Sequence, residues 1–377
     1  MNHKLTRVAA VALAGVLAFC LTACGSDNPL AGRPGVNLPT LPDPDSPGAS
    51  GLTGTFAGAG ASSIEAAMDA WRGVFQVYNP DVTVNYDPVG SGGGRRQFLA
   101  GGSVFAGSDI ALKDSEIEES RAVCGPDGAI DLPIYISPIA VTFNLPGIDT
   151  VNLSPQNLAR IFTGDLNRWN APELALDNPG LDLPDLAITP VHRSDDSGTT
   201  TNFVDYLAAT APGVWTWDVS GVWPLTGGDS AQGTSGVINA VQQTPGAITY
   251  ADASRVGDLG TAAILVAGQW VTVSPEGAAL AVDASPRVEG RHEFDLAIAL
   301  DRTTEAPGAY PLLLVSYVVV CLQYSSAANA QFAREFIGFI VSPGGQALAA
   351  QVAGSAPLPT NLTRQIDISL EAITAVG

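Results

Sequence analysis

Three stretches of the sequence place serine, threonine and glycine where a short β-rich run gives way to a helical pattern. The first leads into Ser62-Ser63, the second into Gly90 and Ser91, and the third into Ser197-Gly198-Thr199. The N-terminus of a helix carries unpaired backbone N–H groups and the positive end of the helix dipole, so such a loop is suited to binding an anion. One loop alone is weak evidence, because these residue types cap helices in most proteins.

Two charged residues beside these loops strengthen the evidence for an anion-binding site. Arg193 directly precedes the third loop, and Asp109 ends the run Phe105-Ala106-Gly107-Ser108-Asp109. An aspartate at the end of a strand is usually a solvated turn residue, and Asp195-Asp196 could simply start a helix. The combination of a basic group, an acidic group and three donor-rich loops nevertheless indicates a site for a small anion.

The elements that would position these residues follow from the pattern of apolar residues. A chain of 377 residues, 46% of them apolar, is long enough for two packed units, because single cores stop growing at about 250 to 300 residues. Short β-rich runs alternate with helical periods from Gly51 onward, which predicts an α/β class with mostly parallel strands. The first helical period has one apolar face, made of Ile64, Met68, Trp71 and Phe75.

Two local patterns make further predictions. Ser62 with Glu65 fits a capping box at the start of the first helix. The apolar run Pro311 to Leu322 is too short to span a membrane and is typical of a strand buried on both faces. Helical patterns at 332–340, 346–352 and 362–373 predict helices that complete the globular part of the chain.

The charge balance excludes one class of partner. The formal net charge is −20, and only 14% of the residues are charged. Nucleic acids and anionic membrane surfaces require clustered Lys and Arg, so neither is expected to bind this chain. A small anion remains compatible with the charge, because exposed charges are largely screened beyond about 8 Å at physiological salt.

The N-terminal residues read as an export signal. Lys4 and Arg7 precede an uncharged stretch from Val8 to Ala23, so residues 1–23 are expected to be a signal peptide. Its end, Leu21-Thr22-Ala23-Cys24-Gly25, resembles a bacterial lipobox, in which Cys24 would be lipidated and anchored to the cell membrane. The alternative is an ordinary cleaved signal. Residues 24–50, rich in Pro, Gly, Ser and Asp, are expected to form a disordered tether that begins with the lipidated Cys24.

Cys124 and Cys321 are the two cysteines left in the body of the chain. An even pair in an exported protein predicts a disulfide, with two buried free thiols as the alternative. His192 and His292 offer no metal-ligand spacing with these cysteines, so neither a metal site nor a cofactor is expected.

Several motifs, taken in order, resemble the phosphate-specific substrate-binding proteins of ABC importers, the PstS family. They cover about Gly51 to the C-terminus, and their order is far more specific than any single glycine loop. The matching segments are 58–63 (GAGASS), 90–94 (GSGGG), 107–109 (GSD), 161–170 (IFTGDLNRWN), 178–184 (NPGLDLP), 193–199 (RSDDSGT), 243–250 (QTPGAITY) and 358–359 (LP).

The resemblance implies a two-lobed periplasmic-binding-protein fold of type II, with the ligand cleft between the lobes and two crossovers. Residues 51–136 plus 313–377 would form lobe I, and residues 137–312 lobe II. Inorganic phosphate would be the ligand and the membrane permease of an ABC importer the partner, with no enzymatic activity and a monomeric receptor. The implied phosphate-binding residues are Ser62, Ser63, Ser91, Asp109, Arg193, Ser197, Gly198 and Thr199.

The physical chemistry of these residues agrees with that implication. Phosphate near neutral pH retains a proton that the carboxylate of Asp109 can accept, whereas sulfate has none and would meet unpaired repulsion. Arg193 offers a bidentate fork, and Asp195 could hold its guanidinium in place. Two features depart from the family pattern: Ser63 stands where the family usually has phenylalanine, and Arg95-Arg96 is unusually basic and has no assigned role.

Two alternatives remain open from the sequence. A secreted serine hydrolase could use Ser91 or Ser197 with His192, although no G-x-S-x-G elbow frames either serine. The same fold could instead bind sulfate, molybdate or tungstate, or serve as a surface adhesin or sensor. An acceptor carboxylate at Asp109 disfavours a fully deprotonated oxyanion.

Overall fold

The computed structural model describes residues 51–376, in which helices and strands alternate along most of the chain. The predicted signal peptide, Cys24 and the tether lie outside the described residues. The strands are β1 Gly54–Gly60, β2 Val82–Asp87, β3 Phe105–Ser108, β4 Ala129–Phe143, β5 Thr150–Leu153, β6 Thr189–Arg193, β7 Asp229–Ala231, β8 Ala247–Asp252, β9 Gly260–Val266, β10 Gln269–Val271, β11 Leu313–Cys321, β12 Gln323–Tyr324 and β13 Thr374–Ala375. The helices are α1 Glu65–Tyr78, α2 Ser91–Leu99, α3 Asp114–Cys124, α4 Pro155–Thr163, α5 Pro172–Asp177, α6 Gly198–Thr210, α7 Gly233–Gln243, α8 Pro275–Asp283, α9 Ala327–Val341, α10 Pro343–Ala353 and α11 Thr360–Glu371.

An 11-stranded mixed sheet organises most of these elements and confirms the α/β class, while β12 and β13 form a separate two-stranded sheet. The strand order of the large sheet is β2-β1-β3-β11-β4-β8-β6-β7, and β9 joins it beside β4 and carries β5 and β10. The prediction of mostly parallel strands was wrong at the centre of the sheet. There β11 runs antiparallel to both β3 and β4, and β4 runs antiparallel to β8 and β9. Apolar periodicity reports that a strand is buried but carries no information on its direction.

The long strand β4 links the two parts of the sheet. It pairs with β11 from Ala129 to Pro138 and then with β8 from Ile139 to Phe143. The change of partner therefore falls between Pro138 and Ile139. The lobe boundaries drawn from the sequence remain a prediction.

The apolar core surrounds these central strands. Every residue of β4 and of β11 is buried, which confirms the buried strand predicted within the run 311–322. In α1 the predicted face of Ile64, Met68, Trp71 and Phe75 is buried, and the indole N–H of Trp71 donates to the Gly345 carbonyl of α10 (2.8 Å). No single helix between residues 51 and 376 has the length and apolarity to cross a membrane, although the bent pair α9 and α10 passes on length and composition together.

A disulfide joins Cys124 at the end of α3 to Cys321 at the end of β11, as predicted. The two Cα atoms are 4.8 Å apart and 197 residues apart in sequence. The bond therefore closes a loop that contains most of the body of the chain.

A buried carboxylate, Asp252, lies at the end of β8 opposite Ile139 of β4. Its Oδ1 accepts hydrogen bonds from the backbone N–H (3.0 Å) and the hydroxyl (2.5 Å) of Ser254, and the Tyr135 hydroxyl lies 3.3 Å from both of its oxygens. Burial raises the pKa of Asp252 from 3.8 to about 6, against the lowering effect of the Ser254 and Ser137 hydrogen bonds.

This shift predicts how stability depends on pH. Between about pH 4 and 6 the folded chain holds a proton on Asp252 that the unfolded chain has lost, so this group's contribution to stability falls as pH rises through that window. The loss amounts to about 2 to 3 kcal/mol. Urea unfolding of the wild type and Asp252→Asn at several pH values measures it as the difference between the two curves. Parallel curves from pH 4 to 7 would contradict the prediction.

Candidate functional site

The loops singled out in the sequence meet at one place, where β1, β3 and β6 end and α6 begins. The Ser63 hydroxyl donates to Asp109 Oδ1 (2.7 Å), and the Thr199 hydroxyl donates to Asp109 Oδ2 (3.0 Å). The backbone N–H of Asp109 donates to Ser91 Oγ (3.1 Å). Four of the predicted site residues, from four different loops, are thus in direct contact.

Glycine at position 198 makes this close approach possible. A Cβ atom there would lie 2.4 Å from Ser91 Oγ and 2.7 Å from the Asp109 Cβ. Both distances are shorter than the van der Waals contact distance of a carbon atom. Any larger residue at position 198 would therefore push α6 away from the loop that carries Asp109.

The carboxylate of Asp109 is the buried centre of the site, with only 3% of the residue exposed. Burial raises its pKa above the usual value, and this effect is opposed by hydrogen bonds from Ser63, Ser316 and Thr199 and by the charge of Arg193. The third hydroxyl, Ser316 of β11, donates to Oδ1 (2.8 Å) and was missed in the sequence. A lone serine in an otherwise apolar or aromatic strand was the available signal.

Arg193, at the end of β6, is also buried. Its Nε and Nη2 donate to Oδ1 (2.8 Å) and Oδ2 (2.5 Å) of Asp195. Burial by itself would raise the pKa of Asp195, but the hydrogen bonds and charge of Arg193, with the Gly233 N–H, outweigh burial and lower it. Asp195 thus holds one edge of the guanidinium, and the second edge, formed by Nη1 and Nη2, has the geometry to bind two anion oxygens.

Ser197, Gly198 and Thr199 form the buried N-terminus of α6. Ser197 is the N-cap residue, and its Oγ accepts a hydrogen bond from the Thr200 N–H (3.2 Å). That hydroxyl can still donate its own proton to an anion. The first turn therefore offers backbone N–H groups and hydroxyls beside Asp109.

Asn202, one turn further along α6, joins the two sides of the site. Its side-chain N–H₂ donates to the Asp109 carbonyl (2.7 Å) and to the Gly198 carbonyl (3.0 Å). The amide oxygen accepts from the guanidinium of the buried Arg302. Sequence reasoning missed both residues, since neither belongs to a glycine loop.

Ser62 does not cap the first helix, contrary to what its spacing to Glu65 predicted. Helix α1 has Ile64 as its N-cap with no side-chain cap, so the predicted capping box was wrong. Ser62 Oγ instead lies 3.1 Å from Thr234 Oγ1 and accepts a hydrogen bond from the Thr234 N–H (3.1 Å). Ser62 Oγ therefore contacts the start of α7, a helix whose first residues are Gly233, Thr234 and Ser235.

The structure assigns both arginines of the unexplained pair. Arg95 is buried, and it donates from Nε to Glu116 (2.9 Å) and from Nη1 to the Ser108 hydroxyl (3.0 Å), behind the loop of Asp109. Arg96 is 67% exposed and donates to Asp196 (2.7 Å). Both charges are thus paired with carboxylates.

The geometry does not favour a serine hydrolase. The Nδ1 of His192 lies 3.0 Å from the Arg193 carbonyl, and its ring stacks on Trp223 with centroids 5.0 Å apart. Within residues 51–376, the side-chain hydrogen bonds of Ser91 and Ser197 go to backbone N–H groups and not to a histidine. In the same range, His, Cys, Asp and Glu form no group of three that could hold a metal ion.

Known proteins are similar to this chain in both sequence and fold. Residues 45–343 match the model of the PBP superfamily domain. The chain is 33% identical over 383 residues to phosphate-binding protein PstS2 of Mycobacterium bovis (strain BCG), an alignment that covers 97% of this chain and 98% of that protein. It is 32% identical over 321 residues to phosphate-binding protein PstS of Xylella fastidiosa, covering 83% of this chain and 84% of that protein.

Solved structures of low sequence identity share the same fold. The crystal structure of the ancestral soluble variant of the human phosphate binding protein has a TM-score of 0.68 and 21% identity, covering 84% of this chain and 93% of that chain. The match to PstS2 extends along nearly the whole chain, and the sequence matches confirm the resemblance noted in the motifs. The chain belongs to the PstS family of phosphate-binding proteins, within the PBP superfamily.

Proposed function

We propose that this protein is an extracytoplasmic receptor that binds inorganic phosphate and delivers it to the membrane permease of an ABC importer. The observation that carries the proposal is the buried Asp109 carboxylate, which lies among three hydroxyl donors beside Arg193 and the N-terminus of α6. A buried acceptor among donors matches an anion that still carries a proton. The names of the relatives, which are phosphate-binding proteins, support the same ligand.

The role of each site residue follows from its chemistry. Arg193 neutralises the anion and orients two of its oxygens, while Asp195 keeps the guanidinium in place. The backbone N–H groups of Ser63, Gly198 and Thr199 and the hydroxyls of Ser91 and Ser197 complete the donors. Ser62 contributes its backbone N–H and, where Thr234 is the donor between the two hydroxyls, its own hydroxyl proton.

Asp109 separates phosphate from the alternative oxyanions. It accepts the proton of phosphate, whereas sulfate, molybdate and tungstate are fully deprotonated near neutral pH and would place a negative oxygen against the carboxylate. Inside a site without water this repulsion is large, because the local dielectric is low. We infer that the receptor prefers phosphate by a wide margin.

The sequence supports the location and organisation of the receptor. Residues 1–23 act as a signal peptide, and Cys24 carries the lipid that anchors the chain to the outer face of the cell membrane. Lobe I (51–136 and 313–377) and lobe II (137–312) close over the anion. The receptor acts as a monomer and catalyses no reaction.

Isothermal titration calorimetry at pH 7 tests the proposal. Phosphate should bind the purified protein with one site per chain, and sulfate at the same concentration should give no binding heat. Equal affinity for the two anions would remove the acceptor role of Asp109. Absence of phosphate binding, or turnover of a phosphoester by the purified protein, would overturn the receptor function.

A further inference from the structure

Ser316 reaches the site from the middle of a strand that is otherwise apolar or aromatic. It lies on β11, its residue exposure is 0%, and its hydroxyl donates to Asp109 Oδ1 (2.8 Å) across a separation of 207 residues. The pairing of β11 with β4 shifts register between Ser316 and Tyr317. Such an irregularity redirects side chains locally, and here it accompanies a serine that faces Asp109.

The hydrogen bonds to Asp109 are unevenly divided between its two oxygens. Oδ1 accepts from Ser63 (2.7 Å) and Ser316 (2.8 Å), while within residues 51–376 the side-chain donor to Oδ2 is Thr199 (3.0 Å). A carboxylate oxygen has about two lone-pair positions. The protein therefore fills both hydrogen-bond positions of Oδ1, and Oδ2 can accept one more hydrogen bond.

Other charged and titratable groups surround Asp109. Arg193 of β6 favours its ionised form. Tyr86 of β2 and Asp252 of β8 are close enough for the charge of Asp109 to raise the pKa of each. The Tyr86 hydroxyl donates to the Ala61 carbonyl (2.9 Å), so it is not a donor to the carboxylate. The ionised form of Asp109 thus depends on Arg193 and on three hydroxyls.

We propose that Ser316 is a positioning residue that keeps Asp109 ionised and fixes Oδ2 as the oxygen that accepts the ligand's proton, and thereby sets the preference for phosphate over sulfate. The proposal rests on the proposed function. A hydroxyl donor stabilises the ionised carboxylate, so its removal favours the protonated form of Asp109. A protonated Asp109 is a donor, which suits sulfate and removes the acceptor that phosphate uses.

The sign of the pH effect follows. As pH falls, Asp109 takes up a proton, sulfate affinity rises and the ratio of phosphate to sulfate affinity decreases. In Ser316→Ala this decrease should begin at a higher pH than in the wild type. At a pH within the transition, the ratio should be about tenfold lower, which corresponds to one lost hydrogen bond to a charged group.

The test measures phosphate and sulfate dissociation constants from pH 5 to 8 for the wild type, Ser316→Ala and Thr142→Val. Thr142 of β4 is an equally buried hydroxyl that donates to the Gly260 carbonyl (2.8 Å) and does not contact Asp109. Thr142→Val therefore reproduces the loss of a buried hydrogen bond and should keep the wild-type pH profile. The ligand's own titration is common to all three proteins and cancels in the comparison.

A direct measurement of the protonation of the Asp109 carboxyl tests this proposal independently of the proposed function. Carbon-13 NMR titration of the Asp109 carboxyl in ligand-free protein should show a higher midpoint in Ser316→Ala than in the wild type, whether or not phosphate binds. If Ser316→Ala does not fold, Ser316→Cys keeps the side-chain shape with a weaker donor and should move the midpoint in the same direction. An unchanged midpoint or an unchanged selectivity profile in the folded variant would overturn the role of Ser316.

Discussion

Asp109→Asn should lose the discrimination between phosphate and sulfate. The two hydroxyls that donate to Oδ1 select the amide oxygen of the new side chain for that position, so the amide nitrogen takes the place of Oδ2. An N–H donor then faces the ligand. Phosphate loses its charged acceptor, and sulfate gains a donor in place of a repelling charge.

The expected magnitudes follow from the energy of a hydrogen bond to a charged group. Phosphate affinity should fall by about 10- to 100-fold, and sulfate should bind with a similar affinity. Calorimetry with both anions at pH 7 measures the ratio directly. Retention of the wild-type ratio of phosphate to sulfate affinity would show that Asp109 does not discriminate between the two anions.

Asp196→Asn is the matched control for this substitution. It makes the same change of charge within the third loop, where Asp196 pairs with the exposed Arg96. Exposed ion pairs contribute at most about 1 kcal/mol, so phosphate affinity should change by less than about fivefold. The selectivity over sulfate should be unaffected.

Arg193→Met should cause the largest loss of phosphate affinity, by about 100- to 10,000-fold. The two charge-assisted hydrogen bonds that we propose between Arg193 and the anion would be lost. In addition Asp195, whose side chain is only 11% exposed, keeps a negative charge without its partner. That unpaired carboxylate repels the incoming anion and also destabilises the fold.

Two further variants separate these effects. Arg193→Met combined with Asp195→Asn removes the unpaired charge and should recover part of the affinity and of the melting temperature. Arg193→Lys keeps the charge but not the fork, so its affinity should lie between those of the wild type and Arg193→Met. Calorimetry gives the dissociation constants and thermal unfolding confirms that each variant is folded. An unchanged dissociation constant in Arg193→Met would place Arg193 outside the binding site.

Local sequence patterns predicted the elements of the site better than its contacts. The helix that opens at Ser197 was predicted correctly, because its start depends on residues within one turn. The glycine-rich segment 90–94, expected to be a loop before Arg95, instead forms the first turn of α2 from Ser91. The Ser62–Glu65 capping box failed although its spacing is right. Thr234, 172 residues away, occupies the Ser62 hydroxyl that the pattern assigned to the helix.

Strand burial and strand direction differ in the same way: burial follows from a local pattern, whereas direction depends on contacts that are distant in sequence. The apolar run at 311–322 revealed a buried strand, since burial is encoded in residue type. Its antiparallel pairing with β3 and β4 is not encoded locally, because β11 begins more than 150 residues after β4 ends and pairs with these strands only in the folded sheet.

Residue types along the chain predict the chemistry of this protein: short hydroxyl and glycine loops at helix starts, an arginine and an aspartate suited to a small anion, an expected export signal and a pair of cysteines. Which donors meet which oxygen of Asp109 follows from the packing of distant segments and not from any local pattern. Ser63, Thr199 and Ser316 lie 46, 90 and 207 residues from it, and their meeting depends on strand order and register. Residue types fix what a site can bind through short-range chemistry, whereas its selectivity depends on distances that only the packed sheet sets.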